Sequence, residues 1–206
     1  MNRTAFLKTL AGGAVALPTV ALANPTAETA IYDLLDAVLG AQFSHDFQQL
    51  SSLMHPASLR MFRKHLSACY DRLLHDFSKE QIAAVSGLAL HPKDLTAPDA
   101  EIFASACYHA IARHPDFVGD PQLLPLRIHG SIFDDDRFAH VLYSYKGSIH
   151  TERTDYQYVA PNLLSVKRDK DQWQVYSCIL AGSVTQCWRR DLAKDSRDDW
   201  DAQDTP

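Results

Sequence analysis

Residues 163–175, Leu163-Leu164-Ser165-Val166-Lys167-Arg168-Asp169-Lys170-Asp171-Gln172-Trp173-Gln174-Val175, spell a strand, a polar turn and a second strand. Leu164 and Val166 alternate with polar neighbours, as do Trp173 and Val175, and a period of two marks a half-buried strand. Asp169-Lys170-Asp171 turns the chain between them. The two strands are predicted over 156–168 and 172–180, with a bulge at Pro161, because proline cannot donate to a ladder. Upstream, 126–133 and 137–146 carry the same period on either side of Asp134-Asp135-Asp136, a second hairpin. A polar connection, 147–155, joins the hairpins. Four strands in antiparallel succession are expected.

Before residue 126 the period is 3.6. Ile31, Leu34, Leu35, Val38 and Leu39 form a helical stripe that Gly40 should end. A short helix is predicted over 46–54, and His55-Pro56 breaks the chain. The longest helix is predicted over 57–77, on Leu59, Phe62, Leu66, Cys69, Tyr70, Leu73 and Phe77. Ser78-Lys79-Glu80-Gln81 is a capping box that opens a new helix, stopped by Gly87. His91-Pro92 lies in a loop. Pro98 then starts a helix running to about 113, with Phe103, Cys107, Ala110 and Ile111 inward. Helices first and an antiparallel meander second define an α+β fold, with helices laid on one face of the sheet.

Both faces of that sheet read as apolar. One set is Ala139, Val141, Tyr143, Leu164, Val166, Trp173 and Val175. The other is Phe138, His140, Leu142, Tyr176, Cys178 and Leu180. A sheet covered on one side should carry a polar outer face. The second set therefore needs a cover, either a second copy in a homodimer or the chain's own segment 184–192.

The ends of the chain differ from its middle. Arg3 and Lys8, an apolar stretch over 9–22 and Ala21-Leu22-Ala23 are the three parts of a secretory signal. Residues 1–23 are expected to be a signal peptide cleaved after Ala23, which places the protein in the periplasm or outside the cell. Arg3-Thr4-Ala5-Phe6-Leu7-Lys8 resembles the twin-arginine export motif with Thr4 in place of the second arginine, so the route stays open between that path and ordinary secretion. The apolar run is shorter than the roughly 20 residues of a membrane span. A single domain is expected over 24–188, and 189–206 reads as a polar, disordered tail. The net charge of −5 and the lack of a basic stripe disfavour nucleic acid. Cys69, Cys107, Cys178 and Cys187 would meet an oxidising compartment, and can either pair or serve as small buried hydrophobes.

The helix, the short helix ending in Leu53-Met54-His55-Pro56, the long helix, the strand Phe138-Ala139-His140-Val141-Leu142-Tyr143 and the closing 163–175 unit together resemble the nuclear transport factor 2-like superfamily. The added helix over 98–113 is closer to its exported, functionally obscure branch. The resemblance implies a curved sheet that closes with the helices into a cone. Members use that cone for acid–base chemistry, for ligand binding or only as a dimerisation surface, so fold alone does not choose.

The residues themselves narrow the choice. No His-Glu-x-x-His, Cys-x-x-Cys, Gly-x-Ser-x-Gly or phosphate-cradling glycine loop occurs. His65 and Cys69 are four apart, but Cys69 belongs to the core stripe. No metal and no cofactor is therefore expected. The isomerase-like branch implies a tyrosine on an early helix and carboxylates inside the cone. Tyr32 suits the first role and His140 is a second candidate acid–base group. The four strands contain no acid to serve the other role, and Glu28, Asp33 and Asp36 read as a solvated helix face. Tyr143, Tyr145, Tyr156 and Tyr158 would line the cone mouth, apolar with polar handles, and suit a small apolar ligand. The leading expectation is a non-catalytic ligand-binding or interaction module of the cell envelope. An isomerase- or cyclase-type enzyme in the same pocket and a purely structural dimerisation domain are the alternatives.

Overall fold

The computed structural model describes residues 25–113, 127–150, 155–177 and 179–203, with backbone alone at 112–113, 145–150, 155–158, 160 and 195–203. The expected signal peptide and cleavage site lie outside the described residues, as does Cys178. The chain is α+β, and its described residues form five α-helices ahead of a four-stranded antiparallel sheet and a sixth after it.

Helix α1, Pro25–Phe43, buries Ile31, Leu34, Leu35, Val38 and Leu39, the stripe read from the sequence. It runs past Gly40, because Ala41 and Phe43 add to the same buried side. The turn comes at His45, whose φ is 59°. Helix α2, Phe47–Ser52, is capped by Asp46, which accepts from the Gln49 N–H at 2.9 Å.

The next residues tie the helices to the sheet. The His55 N–H donates to the Val175 carbonyl at 2.9 Å, and the Val175 N–H donates to Leu53 O at 2.9 Å. His55-Pro56 is more than a chain break. The His55 Nδ1 accepts from the Ala57 N–H at 3.1 Å and caps α3, Pro56–Leu73. Ser58 Oγ adds a bond to Val175 O at 3.1 Å. Proline at the first helical position costs no bond there. His91-Pro92 repeats the device, its Nδ1 accepting from Lys93 N–H at 3.1 Å at the start of a single 3-10 turn. With Nδ1 accepting, the His91 Nε2 carries the proton and donates to Asp71 at 2.9 Å. Arg63 holds the same loop, donating to Pro92 O at 2.8 Å and pairing with Asp99 at 3.0 Å.

Helix α3 ends at Leu73, four residues before the expected Phe77. Helix α4, Lys79–Ser86, has the full capping box of Ser78 and Gln81 and ends at Gly87 with φ 68°. A Cβ at Gly87 would stand 2.5 Å from His109 Cγ, so both conformation and space require glycine. Helix α5, Asp99–Arg113, buries Phe103, Cys107, Ala110 and Ile111 as expected.

The strands are β1 (Arg127–Phe133), β2 (Phe138–His150), β3 (Asp155–Asp169) and β4 (Gln172–Val175), paired in chain order. Strands β2 and β3 extend into the stretch expected to be a connection. Pro161 pairs with Ser144 in unbroken register, so the expected bulge is absent. β4 reaches only Val166–Asp169 on the other side, so Pro161 faces an open edge and its missing N–H breaks no ladder bond. The register shift lies instead between Ile128 and Gly130, where Gly130 adopts φ 147°. β4 is shorter than expected: it stops at Val175, and Leu180 turns the chain at φ 63°.

Helix α6, Ala181–Gln203, begins before the expected tail at 189–206 and continues through 189–203 of it. Val184, Cys187, Trp188 and Leu192 are buried at helical spacing, and the helix packs on α3, α4 and α5. That burial is what holds a polar, Asp-rich stretch in a helix. Among the described residues, no helix is long and apolar enough to cross a membrane.

Candidate functional site

Two polar constellations stand on opposite sides of the sheet. On the helix side, the Tyr32 hydroxyl donates to Glu28 Oε1 one turn back on α1. Ser131 Oγ, from β1, donates to the same oxygen at 3.0 Å. Both bonds are part-buried. The Tyr32 phenol is pushed above its ordinary value, first by burial and then by the Glu28 carboxylate that accepts its hydrogen. A tyrosine so placed stays protonated and donates to the carboxylate, while its oxygen can still accept, as from the Ser131 hydroxyl. Glu28, expected on a solvated face, is the carboxylate that the strands do not supply.

On the other side, His140 stands opposite Ser165 in the β2–β3 register. Its Nδ1 is 2.9 Å from Ser165 Oγ and its Nε2 is 3.0 Å from Asp134 Oδ2. The carboxylate fixes the proton on Nε2, which leaves Nδ1 to accept from serine. The connectivity is that of a Ser–His–Asp relay. Ser165, however, sits within a strand flanked by β2 and by Tyr176, whose N–H donates to Ser165 O at 2.7 Å. The two contacts hold His140 in one tautomer and one rotamer.

Around His140 the face is apolar. Ile132 is 63% exposed, Leu142 46%, Val159 60% and Leu163 60%. The register sets these four residues on one side of three adjacent strands. At one end, Lys167 lies over the rings of Phe138 and Tyr176 at 5.3 and 5.0 Å, and Tyr176 meets the His55 ring edge-on at 5.2 Å. The His55 imidazole is held below its ordinary value, first by burial and then by Lys167. The alternative cover, segment 184–192, lies in α6 on the helices and leaves this face open among the described residues.

The inner face is the core. Ala139, Val141, Leu164, Val166 and Val175 are buried, and Tyr143 with them. Tyr143 is therefore a wall of the core and not part of a mouth. Tyr145, Tyr156 and Tyr158 lie on the outer reach of the β2–β3 ribbon, opposite Ala160, Ile149 and Gly147, and their side chains lie outside the described residues. Cys69 and Cys187 are buried free thiols, and Cys107 is buried in α5. Burial pushes the Cys187 thiol up, which keeps it unreactive. Among the described residues no group of three His, Cys, Asp or Glu side chains is placed to hold a metal. His65 meets Thr185 at 3.5 Å instead.

The sequence could have offered Glu28 through its four-residue spacing from Tyr32. Asp134 and Ser165 are legible only once the strand register is known. No family model, no curated protein and no solved structure matches this chain.

Proposed function

We propose that this chain is an exported, non-catalytic interaction module of the cell envelope that pairs with a second copy through the outer face of its sheet. The exposed stripe of Ile132, Leu142, Val159 and Leu163 carries the reading. Contiguous exposed apolar surface of this kind marks protein contact, and two-fold pairs are the commonest way to cover it. The positions interleaved with the stripe suit self-pairing. Pro161 and Ser165 bring no charge, Lys146 stands opposite Val159 in the register, and the Asp134 and Lys167 that flank the stripe are opposite in sign. A two-fold contact can set each against the other. The order of helices and strands, and the docking of 53–55 on β4, support a nuclear transport factor 2-like layout for the module. The buried inner face favours this interaction role over a small apolar ligand held against the sheet.

Light scattering at micromolar concentration should return twice the chain mass. The L142K/L163K pair should return a monomer with unchanged circular dichroism. A monomeric parent protein overturns the proposal.

A second reading rests on the Glu28–Tyr32–Ser131 constellation. A carboxylate beside a protonated phenol can take a proton next to a carbonyl while the phenol donates to the developing oxyanion. Exchange of deuterium into an enolisable ketone, lost in Glu28→Gln, would support it. Exchange no faster than in buffer removes it.

A further inference from the structure

At His55 the helical layer, the last strand and the outer face of the sheet meet. Its N–H donates to Val175 O, and the Val175 N–H donates back to Leu53 O, each at 2.9 Å. Its carbonyl accepts from the Ser58 N–H at 2.8 Å, and its Nδ1 accepts from the Ala57 N–H at 3.1 Å. Pro56 has no N–H, so Ala57 carries the first main-chain donor of α3, and the imidazole is its acceptor. On its other side the ring meets Tyr176, which packs edge-on against Phe138 at 4.9 Å, with Lys167 over both rings. We propose that His55 is an acid-released latch: a proton on Nδ1 ends the cap, and the seam of 53–58 with 175–176 opens while the β2–β3 ladder stays paired.

Three observations carry the proposal. First, the cap uses the Nδ1 lone pair. A proton there turns the acceptor into a donor aimed at another donor, and the bond is lost. Second, the surroundings oppose a cation. The start of a helix carries partial positive charge. Lys167 of β3 and Arg60 of α3 add to it, Asp169 of β3 acts the other way, and Tyr176 presents an uncharged ring. Burial is the largest influence of all, and the imidazole titrates below its ordinary value. Third, the other His-Pro cap is built differently. His91 makes the same Nδ1 bond, but its Nε2 also rests on the Asp71 carboxylate at 2.9 Å. His55 has no hydrogen-bonded carboxylate among the described residues. A ring held by a carboxylate keeps its place when protonated, and a ring held through its cap alone leaves. The open seam returns His55 to the roughly 6.5 of a free histidine. The open form therefore takes up the proton first, and its share rises as the pH falls through that value towards the closed one. Withdrawal of the ring from Tyr176 loosens the Phe138–Lys167 end of the outer face before any other part of it.

The test is amide hydrogen exchange of the full chain by NMR, corrected for the intrinsic rate at each pH, beside the titration of the His55 ring protons. Protection of the His55, Ala57 and Val175 N–H groups should fall between about pH 7.5 and about pH 5, on the same midpoint as the His55 ring. Amides of the β2–β3 ladder should keep theirs. His55→Asn retains a capping oxygen and does not titrate, so its seam should stay equally protected across the range. The L142K/L163K variant should lose seam protection as the parent does, which separates the latch from the pairing of the sheet faces. Unchanged protection of the three amides in the parent protein, or an equal loss in His55→Asn, overturns the proposal.

Discussion

Leu163 and Leu164 are neighbours in sequence and opposites in circumstance. Leu164 is 2% exposed against the helices, and Leu163 is 60% exposed on the far side of the same strand. The two faces of this sheet are nearly equal in apolar content and unequal in what covers them. Apolar composition therefore tells which residues want cover, and only packing tells which already have it within one chain. The inner face is a stability feature. The outer face is the one that the proposed pairing would cover, and any energy from its burial would be realised between molecules.

The sharpest way to break that contrast is a pair of alanine substitutions. Leu164→Ala should cost about 2–5 kcal/mol, the range for a buried leucine. Urea unfolding measures it directly. Leu163→Ala should change monomer stability by no more than about 0.5 kcal/mol while weakening the dimer seen by light scattering. Equal costs in a monomeric background would mean that the outer face is covered by its own chain.

His55 comes next, at the seam where α3, β4 and the Tyr176 ring meet. His55→Ala should cost about 1 kcal/mol, the value of a helix cap. The folded imidazole titrates below the roughly 6.5 of an unfolded histidine. The unfolded chain therefore takes up the proton first as the pH falls. The stability tied to His55 is whole above about pH 6.5 and is lost as the pH drops through that value towards the folded one. His55→Asn keeps a capping oxygen and does not titrate. It should flatten this part of the slope in urea midpoints taken between about pH 7 and pH 5.

The smallest effect belongs to Lys167 on the outer face. Lys167→Ala removes the cation from the Phe138 and Tyr176 rings and should cost about 0.5–1 kcal/mol, read from the shift in melting temperature. In that variant the Lys167 charge no longer opposes protonation of His55, so the pH slope should end nearer the ordinary histidine value and span a narrower window.

The inner face was legible because alternation and helical stripes are local signals. Ile31 to Leu39 and Val141 with Leu164 announce their burial by period alone. What escaped reading is non-local or masked by composition. Val184, Cys187, Trp188 and Leu192 have helical spacing, yet the Asp-rich run after them reads as a solvated tail. The two His-Pro pairs read as breaks, while the imidazole acts as the cap. Ser131 lies 103 residues from Glu28, and nothing local joins them. The relay of Asp134, His140 and Ser165 needed the register. So did Pro161, whose tolerance depends on how short β4 is.

That proline has one more consequence. Among the described residues β4 pairs with β3 only over Val166–Asp169, extended by the Tyr176 N–H bond to Ser165 O, and an open sheet edge invites strands of other molecules to stack without limit. Pro161 offers no N–H to an incoming strand. A proline so placed opposes the stacking of a further strand along that edge, which would leave the flat of the sheet for the pairing proposed above.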